Sequence, residues 1–477
     1  MTSPLCPLTT RRFFFEQCGV GLGKVALTSL LGADLCQRAA AEEQTDPMAP
    51  RMPHFRPKAK QVIFLFMAGG PSHLDLFDYK PTLRKHDGQP VPPEVLAGKD
   101  LPFIERDAAL MSSPLKFARH GDSGAELSEL LPHLAGIADD LTIVRSLHTS
   151  AFNHAPAQIF MQTGHLQLGK PSLGAWVTYG LGSENQDLPA FVVMNSAGGI
   201  SGGAACYGSG FLPSDYQGVS LHSQGNPILY TQNPPGYDVK LQRRSIDLVN
   251  RFNRRQLERV NDPQIASRIN AYELAFRLQV SAPDLVNLDQ ESPSTFEMYG
   301  IDSEKPSFAR NCLLARRLVE RGVRFICLFH KGWDHHADVV GGLRGICPAV
   351  DRPSAALVRD LKQRGLLDET LVVWGGEFGR TPMVENNPAL NRKLGRDHHP
   401  DAFSMWMAGG GIQPGQTIGQ TDEMGYYTVE DPVHVHDLHA TMLHLLGMDH
   451  ERLTFKYQGL DSRLTNVSGN VVEKLLI

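Results

Sequence analysis

The chain has 477 residues, of which 42% are hydrophobic and 20% are charged, and its formal net charge is -5. This length suits one large α/β domain or two ordinary ones. The acidic balance argues against a nucleic-acid partner, which needs a basic surface. The sequence also holds no uninterrupted apolar stretch long enough for a membrane span.

The N-terminus has the pattern of an export signal. Thr10-Arg11-Arg12 followed by three phenylalanines forms a twin-arginine pattern, and a moderately apolar stretch and the small residues Ala39-Ala40-Ala41 come after it. This resembles a Tat signal peptide over residues 1–41, which predicts a periplasmic or extracellular protein. A basic amphipathic first helix is the alternative. The proline-containing segment 42–60 is predicted to be a linker.

Short apolar runs that end in Gly or polar residues predict buried strands. These runs cover residues 61–67, 141–145, 191–194, 323–329, 370–374 and 403–408. Helical patterns lie between them, over about 127–139, 156–162, 307–321, 348–364 and 437–446. The alternation predicts an α/β domain over residues 61–477 with a mainly parallel sheet. A loop and helical insertion is predicted at about 195–300.

Histidine and carboxylate residues gather where the later predicted strands end or begin. Asp334 and His336 follow one strand, Glu377 follows the next, and His398 with His399 precedes the last. Because ligands bind at the carboxyl ends of strands in open α/β sheets, we expect these residues to share one rim. His, Asp and Glu are ligands of Zn²⁺, Mn²⁺ and Fe. The pattern therefore predicts a site for a divalent transition metal.

The first half of the chain offers further candidates at strand ends. His73 and Asp75 follow the first predicted strand, and His154 follows the second. These residues would complete the metal shell or move protons, and Arg380 would hold an anionic ester oxygen. For each histidine a hydrogen-bonded structural role is the alternative.

Five stretches of the sequence resemble a family of exported proteins of unknown function, family 1501, that is related to sulfatases. The stretches are 67–75, 316–323 with 332–336, 375–382, 395–400 with 408–412, and 437–447. The resemblance covers most of the chain after the signal. The family is placed in the alkaline phosphatase-like superfamily, which implies a doubly wound α/β sheet with a metal site at its rim.

The sequence departs from the sulfatase pattern at the positions that carry catalysis there. Counted back from Thr163-Gly164, His154 occupies the place of the nucleophilic Cys or Ser. The first strand ends in Ala68-Gly69-Gly70 instead of a ligating Asp, and Phe378 replaces a ligating residue. The resemblance thus implies that a single metal activates water directly, with His154 or His73 as ligand or base, or that catalysis has been lost.

Two functions remain open at this point. The first is an exported metal-dependent hydrolase that uses metal-activated water on a sulfate or phosphate ester. Its substrate would be an anionic small molecule or a sulfated or phosphorylated polysaccharide. The second is a non-catalytic exported binding or assembly protein on a sulfatase-like scaffold. The predicted metal ligands are Asp75, Asp334, His336, Glu377, His398 and His399, and the predicted catalytic residues are His73, His154 and Arg380.

Overall fold

The computed structural model describes residues 46–93, 108–221, 233, 235–303, 305–387 and 390–477. The predicted signal peptide lies outside the described residues. Met48–Ile477 forms one compact unit, and part of the predicted linker is bound to it. The backbone N–H of Arg51 donates to the carbonyl of Leu181, and that of Lys58 donates to the carbonyl of Leu445. In the described part of the chain no helix has both the length and the apolar character needed to cross a membrane.

A nine-stranded sheet forms the centre of this unit. In chain order its strands are β1 (Gln61–Ala68), β2 (Thr142–His148), β3 (Phe191–Asn195), β4 (Val219–Leu221), β5 (Phe325–Lys331), β6 (Thr370–Gly375), β7 (Phe403–Ala408), β8 (Gln416–Ile418) and β9 (Val433–His434). Their spatial order is β8-β2-β7-β6-β1-β5-β3-β4, and β9 pairs with β2. Among the described strands of this sheet only β7 runs antiparallel to its neighbours, so the predicted mainly parallel sheet is confirmed.

Short ribbons and helices surround the sheet. The two-stranded ribbons pair Phe117–His120 with Ala125–Ser128, Gly379–Arg380 with His398–His399, Glu385–Asn387 with Arg392–Gly395, Gln420–Thr421 with Thr428–Glu430, and Phe455–Tyr457 with Leu460–Ser462. The α-helices are α1 (His73–Leu76), α2 (Pro81–Lys85), α3 (Pro132–Ala135), α4 (His154–Thr163), α5 (Leu173–Leu181), α6 (Val239–Val260), α7 (Pro263–Val286), α8 (Pro293–Tyr299), α9 (Phe308–Glu320), α10 (Val339–Gln363) and α11 (Val435–Leu445).

The helices cover both faces of the sheet. Alternate side chains of β1 enter two separate cores, since successive residues of a strand point to opposite faces. Ile63 and Leu65 pack in the core that includes α9 and α10. Phe64 and Phe66 pack in the core that includes α4, α5 and α11. This two-sided burial confirms the doubly wound α/β fold.

The prediction of a helix over residues 127–139 is wrong. Its first two residues belong to the strand Ala125–Ser128, and the only α-helix that the structure describes between residues 127 and 139 is the four-residue α3. Pro132 begins that turn and has no backbone N–H, so a continuous helix could not form its ladder through this position. Leu127, Leu131 and Leu134 are buried, which explains the apolar spacing without a long helix.

The antiparallel strand β7 decides what reaches the rim of the sheet. Trp406 of β7 pairs with Trp374 of β6, and Met405 pairs with Val144 of β2. Because β7 runs against both neighbours, its amino end lies beside their carboxyl ends. The turn that precedes β7 is thereby brought to the same rim as the loops that follow β1, β2, β5 and β6.

Candidate metal centre

Four side chains meet at this rim. Ligand atoms of His154, Asp334, His336 and His398 all lie within 4.8 Å of one another. Oδ1 of Asp334 is 3.0 Å from Nε2 of His336 and 3.3 Å from Nε2 of His398, and its Oδ2 is 3.1 Å from Nε2 of His154. The four residues come from the loop after β5, the start of α4 and the turn before β7, so tertiary folding alone brings them together.

Two glutamates orient the histidines of this cluster. Nδ1 of His154 is 2.7 Å from Oε1 of Glu377, and Nδ1 of His336 hydrogen-bonds to Oε2 of Glu385. An ionised carboxylate only accepts hydrogen bonds, so each Nδ1 carries a proton. Each ring then turns its Nε2 towards Asp334, and that nitrogen can bind a metal once it has lost its proton. Carboxylate–histidine pairs of this kind orient metal-ligating histidines in proteins.

The arrangement fits a divalent cation. Nε2 of His336 and Nε2 of His398 are only 3.0 Å apart and both face Asp334. Nε2 of His154 is buried and lies 3.1 Å from Oδ2 of Asp334, but the angle between the two groups does not suit a hydrogen bond. In the metal-free chain protons offset the repulsion between these atoms, and a divalent cation that displaces the protons could bind to the same lone pairs. Three imidazoles and one carboxylate are donors that Zn²⁺, Mn²⁺ and Fe accept.

The charges of the cluster are strongly coupled. Burial acts to raise the pKa of Asp334, but His154, His336, His398 and Arg380 hold it far below its usual range. Burial acts to lower the pKa of His154, yet the carboxylates of Asp334 and Glu377 raise it to about 9. Burial lowers the pKa of His398 to about 4. At neutral pH and without a metal, Asp334 is therefore ionised, His154 is protonated and His398 is neutral.

Arg380 holds Asp334 in place. Its guanidinium is buried, and Nη2 donates to Oδ1 of Asp334 at 2.8 Å and to the carbonyl of Gly69. Nε donates to the carbonyl of Gly70, and Nη1 donates to that of Arg396, each at 2.9 Å. We predicted that Arg380 would hold a substrate anion, but most of its N–H donors are hydrogen-bonded to the protein itself.

Glu377 lies behind His154 and outside the four-residue cluster. It is fully buried and accepts from the backbone N–H of Gly69 and from Nε2 of Gln158 at 2.9 Å. Oε1 of Gln158 in turn accepts from the backbone N–H of Gly202 at 2.9 Å. This chain of contacts ties the first residue of α4 to the loop after β3.

Three other predicted site residues lie in the surrounding scaffold. Nε2 of His73 is 3.0 Å from the carbonyl of Gly425, and Nε2 of His399 hydrogen-bonds to the carbonyl of Tyr426. Asp75 forms a fully buried ion pair with Arg396 at 2.8 Å. None of the three belongs to the groups of candidate ligands found among the described residues.

Sequence reasoning missed Gln158 and Glu385. The spacing of His154 and Gln158 is a usable signal, because residues four apart share one face of a helix. Glu385 lies in a ribbon five residues beyond Arg380, and its sequence position gives no such signal. Its contact with His336 depends on the pairing of Glu385 with Gly395 across that ribbon.

The departures from the sulfatase pattern have local structural reasons. Gly69 has φ +124°, and a Cβ there would lie 2.6 Å from the backbone nitrogen of Asp334, so this strand end has no room for an Asp side chain. The buried ring of Phe378 has its centroid 5.1 Å from that of His154 and 4.6 Å from that of His398. Phe378 therefore forms an apolar wall beside the cluster.

Glu377→Gln should weaken metal binding by about 10- to 100-fold, the usual effect of removing a partner that orients a ligand. The amide keeps the shape of the side chain but removes the charge that fixes the proton on Nδ1 of His154. Metal affinity can be measured by competition with a chromophoric chelator. Glu369→Gln, at an exposed ion pair with Lys60, is the control, and equal affinity in both variants would contradict the orienting role.

The model of the family "Protein of unknown function (DUF1501)" matches residues 59–476, whereas no curated protein matches the sequence. Similar solved structures include the PsFucS1 sulfatase from Pseudoalteromonas sp. (11% identity, TM-score 0.35, covering 83% of this chain and 69% of that one). A phosphonate monoester hydrolase from Silicibacter pomeroyi is also similar (12% identity, TM-score 0.31, covering 81% of this chain and 73% of that one). So is the TAB5 alkaline phosphatase (9% identity, TM-score 0.33, covering 82% of this chain and 99% of that one). These distant similarities assign no activity. The family match spans nearly the whole described domain, and the chain belongs to the DUF1501 family.

Proposed function

We propose that the chain is a metal-dependent hydrolase of sulfate or phosphate esters. One observation carries the proposal: the carboxylate of Asp334 and the Nε2 atoms of His154, His336 and His398 converge on one point at the rim of the sheet. These four residues would hold one divalent Zn, Mn or Fe ion. Such an ion acts as a Lewis acid that polarises an ester oxygen and activates water as a nucleophile.

The residues around the cluster support this role in distinct ways. Glu377 and Glu385 keep the Nε2 atoms of His154 and His336 directed inward, and Arg380 fixes the carboxylate of Asp334. The side chain of Asp334 is 42% exposed, so solvent reaches the cluster. An oriented, partly open ligand set is what catalytic metal sites require.

Direct attack by water suits the groups that surround the cluster. His154 occupies the position expected for the covalent nucleophile, and its ring faces Asp334. Cys206 lies close enough to Glu377 for the carboxylate to act on the thiol electrostatically, but burial raises the pKa of that thiol to about 12. A protonated thiol is a poor nucleophile at neutral pH. The ester would therefore be cleaved without a covalent intermediate on the protein.

We also propose a class of substrate and a cellular location for the protein. An anionic small molecule or a sulfated or phosphorylated polysaccharide suits a cationic metal centre. The twin-arginine pattern at Arg11 and Arg12 supports export, which would place the mature chain in the periplasm or outside the cell. N-terminal sequencing of the exported protein checks whether cleavage follows Ala41.

The test is metal analysis combined with an ester screen. Protein produced in metal-supplemented medium is expected to contain about one transition-metal ion per chain. It should hydrolyse an aryl sulfate or an aryl phosphate, lose that activity in a chelator, and regain it when the metal is added back. Full activity in metal-free protein would overturn the proposal.

A non-catalytic binding or assembly protein is the second candidate. The observation that favours it is the presence of four protein side chains in the cluster, since structural zinc sites are closed by four ligands whereas catalytic sites keep a position open. A bound metal together with no hydrolysis of sulfate or phosphate esters would support this function. Binding of phosphate to a cobalt-substituted protein, seen as a change in its visible spectrum, would show an open position and favour the hydrolase.

Metal affinity should increase with pH. The pKa of His154 is raised to about 9, and that of His336 is also raised. Below these values a metal must displace protons from the imidazoles, so its apparent affinity should rise by up to about tenfold per pH unit for each proton released. Chelator competition at several pH values between 6 and 9 measures this slope. An affinity that does not change over this range would contradict the ligand role of His154.

A further inference from the structure

Helix α6 differs in charge from the rest of the chain. Its 22 residues include seven Arg or Lys and two acidic residues, which gives a net charge of +5, whereas the whole chain has a net charge of -5. The next helix, α7, packs against α6 and has two basic and two acidic residues. The positive charge is thus concentrated on one helix of this pair.

One side of α6 packs against α7. Asn250 is buried and its Nδ2 donates to Glu273 of α7 at 2.7 Å, and Arg243 pairs with the same carboxylate at 2.7 Å. Asn253 is buried on this side as well. With 3.6 residues per turn these three residues share one face of the helix, which leaves the opposite face to solvent.

The solvent side of α6 carries an apolar strip. Leu241, Leu248, Val249 and Phe252 have exposed fractions of 43%, 47%, 42% and 61%. Their spacing of three, four and seven residues places them along one side of the helix. Aligned exposed side chains of this size mark an interaction surface, unlike single exposed apolar residues.

A basic strip runs beside the apolar one. Lys240, Arg244, Arg251 and Arg255 are exposed and are also spaced by four, seven and four residues. Among the ion pairs of the described residues, none involves these four side chains. The solvent side of α6 therefore presents an apolar strip and a cationic strip in parallel, and Arg251 of the cationic strip also acts electrostatically on Asp247.

We propose that α6 binds an anionic lipid surface. A helix with this division lies parallel to a membrane, with its apolar side chains among the acyl chains and its basic side chains on the headgroups. Charge complementarity selects an anionic surface over a zwitterionic one, because each basic residue near the surface adds to binding only where the lipids are negative. The proposal does not depend on the metal centre.

Sedimentation with lipid vesicles tests this proposal on the full chain. Vesicles with equal parts of phosphatidylglycerol and phosphatidylcholine should bind the protein at least about tenfold more tightly than vesicles of phosphatidylcholine alone. Binding should weaken as salt is added, since the charges are at the surface. Failure to bind the anionic vesicles at low salt would overturn the proposal.

Two sets of variants separate the strips. Leu248→Ser with Phe252→Ser, and Arg244→Gln with Arg251→Gln and Arg255→Gln, should each lower binding to anionic vesicles at least about tenfold. Val467→Ser, at an apolar side chain that is 84% exposed outside α6, should bind like the unchanged chain. Circular dichroism confirms that the helices are retained. The proposal would be overturned if neither set of substitutions changed vesicle binding. It would also be overturned if α6 mediated self-association or binding to polyglutamate while the protein did not bind vesicles.

Discussion

His336→Ala should abolish metal binding and, with it, hydrolysis. The change removes one of four converging donors and also releases Glu385 from the hydrogen bond that orients the imidazole. The affinity should fall by more than about 100-fold, which is the upper range for removing only an orienting partner. Elemental analysis after gel filtration and chelator competition measure the loss.

His335→Ala is the matched control for this variant. The neighbouring histidine is half-buried and its ring lies against Gly342, outside the groups of candidate ligands in the described residues. This variant should keep about one metal ion per chain. His336→Ala should still fold, because Glu385 keeps its ion pair with Arg392. Metal content and activity that are equal in both variants would refute the proposed centre.

Asp75→Ala should produce the largest loss of stability. Asp75 and Arg396 form an ion pair in which both side chains are 0% exposed. Removing one partner leaves a buried charge without its counter-ion, which lowers the free energy of unfolding by about 3–5 kcal/mol. Burial acts to raise the pKa of Asp75, but Arg396 holds it below its usual value. The stabilisation is therefore present above the pKa of the unfolded state and is lost as the pH falls through the folded-state value.

An exposed ion pair of the same length gives the control. Lys60 and Glu369 are also 2.8 Å apart, but their side chains are 46% and 55% exposed. Glu369→Ala should change the free energy of unfolding by about 0–1 kcal/mol. Replacing both Asp75 and Arg396 with apolar residues of similar size should recover part of the loss. Urea unfolding of the four proteins measures these differences, and an equal effect at the two pairs would contradict the argument from burial.

Six of the nine strands described in the sheet could be predicted from the sequence because each is a short, nearly continuous apolar run, whereas β4, β8 and β9 have only two or three residues and were not predicted. Residues 403–408 were predicted as a strand and form β7, and both faces of β1 are buried as its pattern requires. The prediction of a helix over 127–139 was wrong, because the leucines there have helical spacing but Pro132 interrupts the segment. Apolar spacing records burial, and burial does not by itself distinguish a helix from a strand followed by a turn.

The candidate site shows the same division. His154, Asp334, His336 and His398 were singled out because each stands near the end or start of an apolar run. Strand ends share a rim in any α/β sheet, so this much follows from local pattern. The direction of β7 was needed to bring His398 to that rim, and the pattern of a strand is the same in either direction.

The sequence by itself determined the fold class, the positions of the six longer strands and the pool of residues from which a metal site could be built. Only the tertiary structure decided which of them meet. It placed His73, Asp75 and His399 in buried contacts with Gly425, Arg396 and Tyr426. It also set Glu377 and Glu385 behind two of the histidines. The physical reason is that a ligand set needs ångström-scale convergence of atoms from distant segments, and that convergence depends on strand order, strand direction and loop packing, which no local pattern encodes.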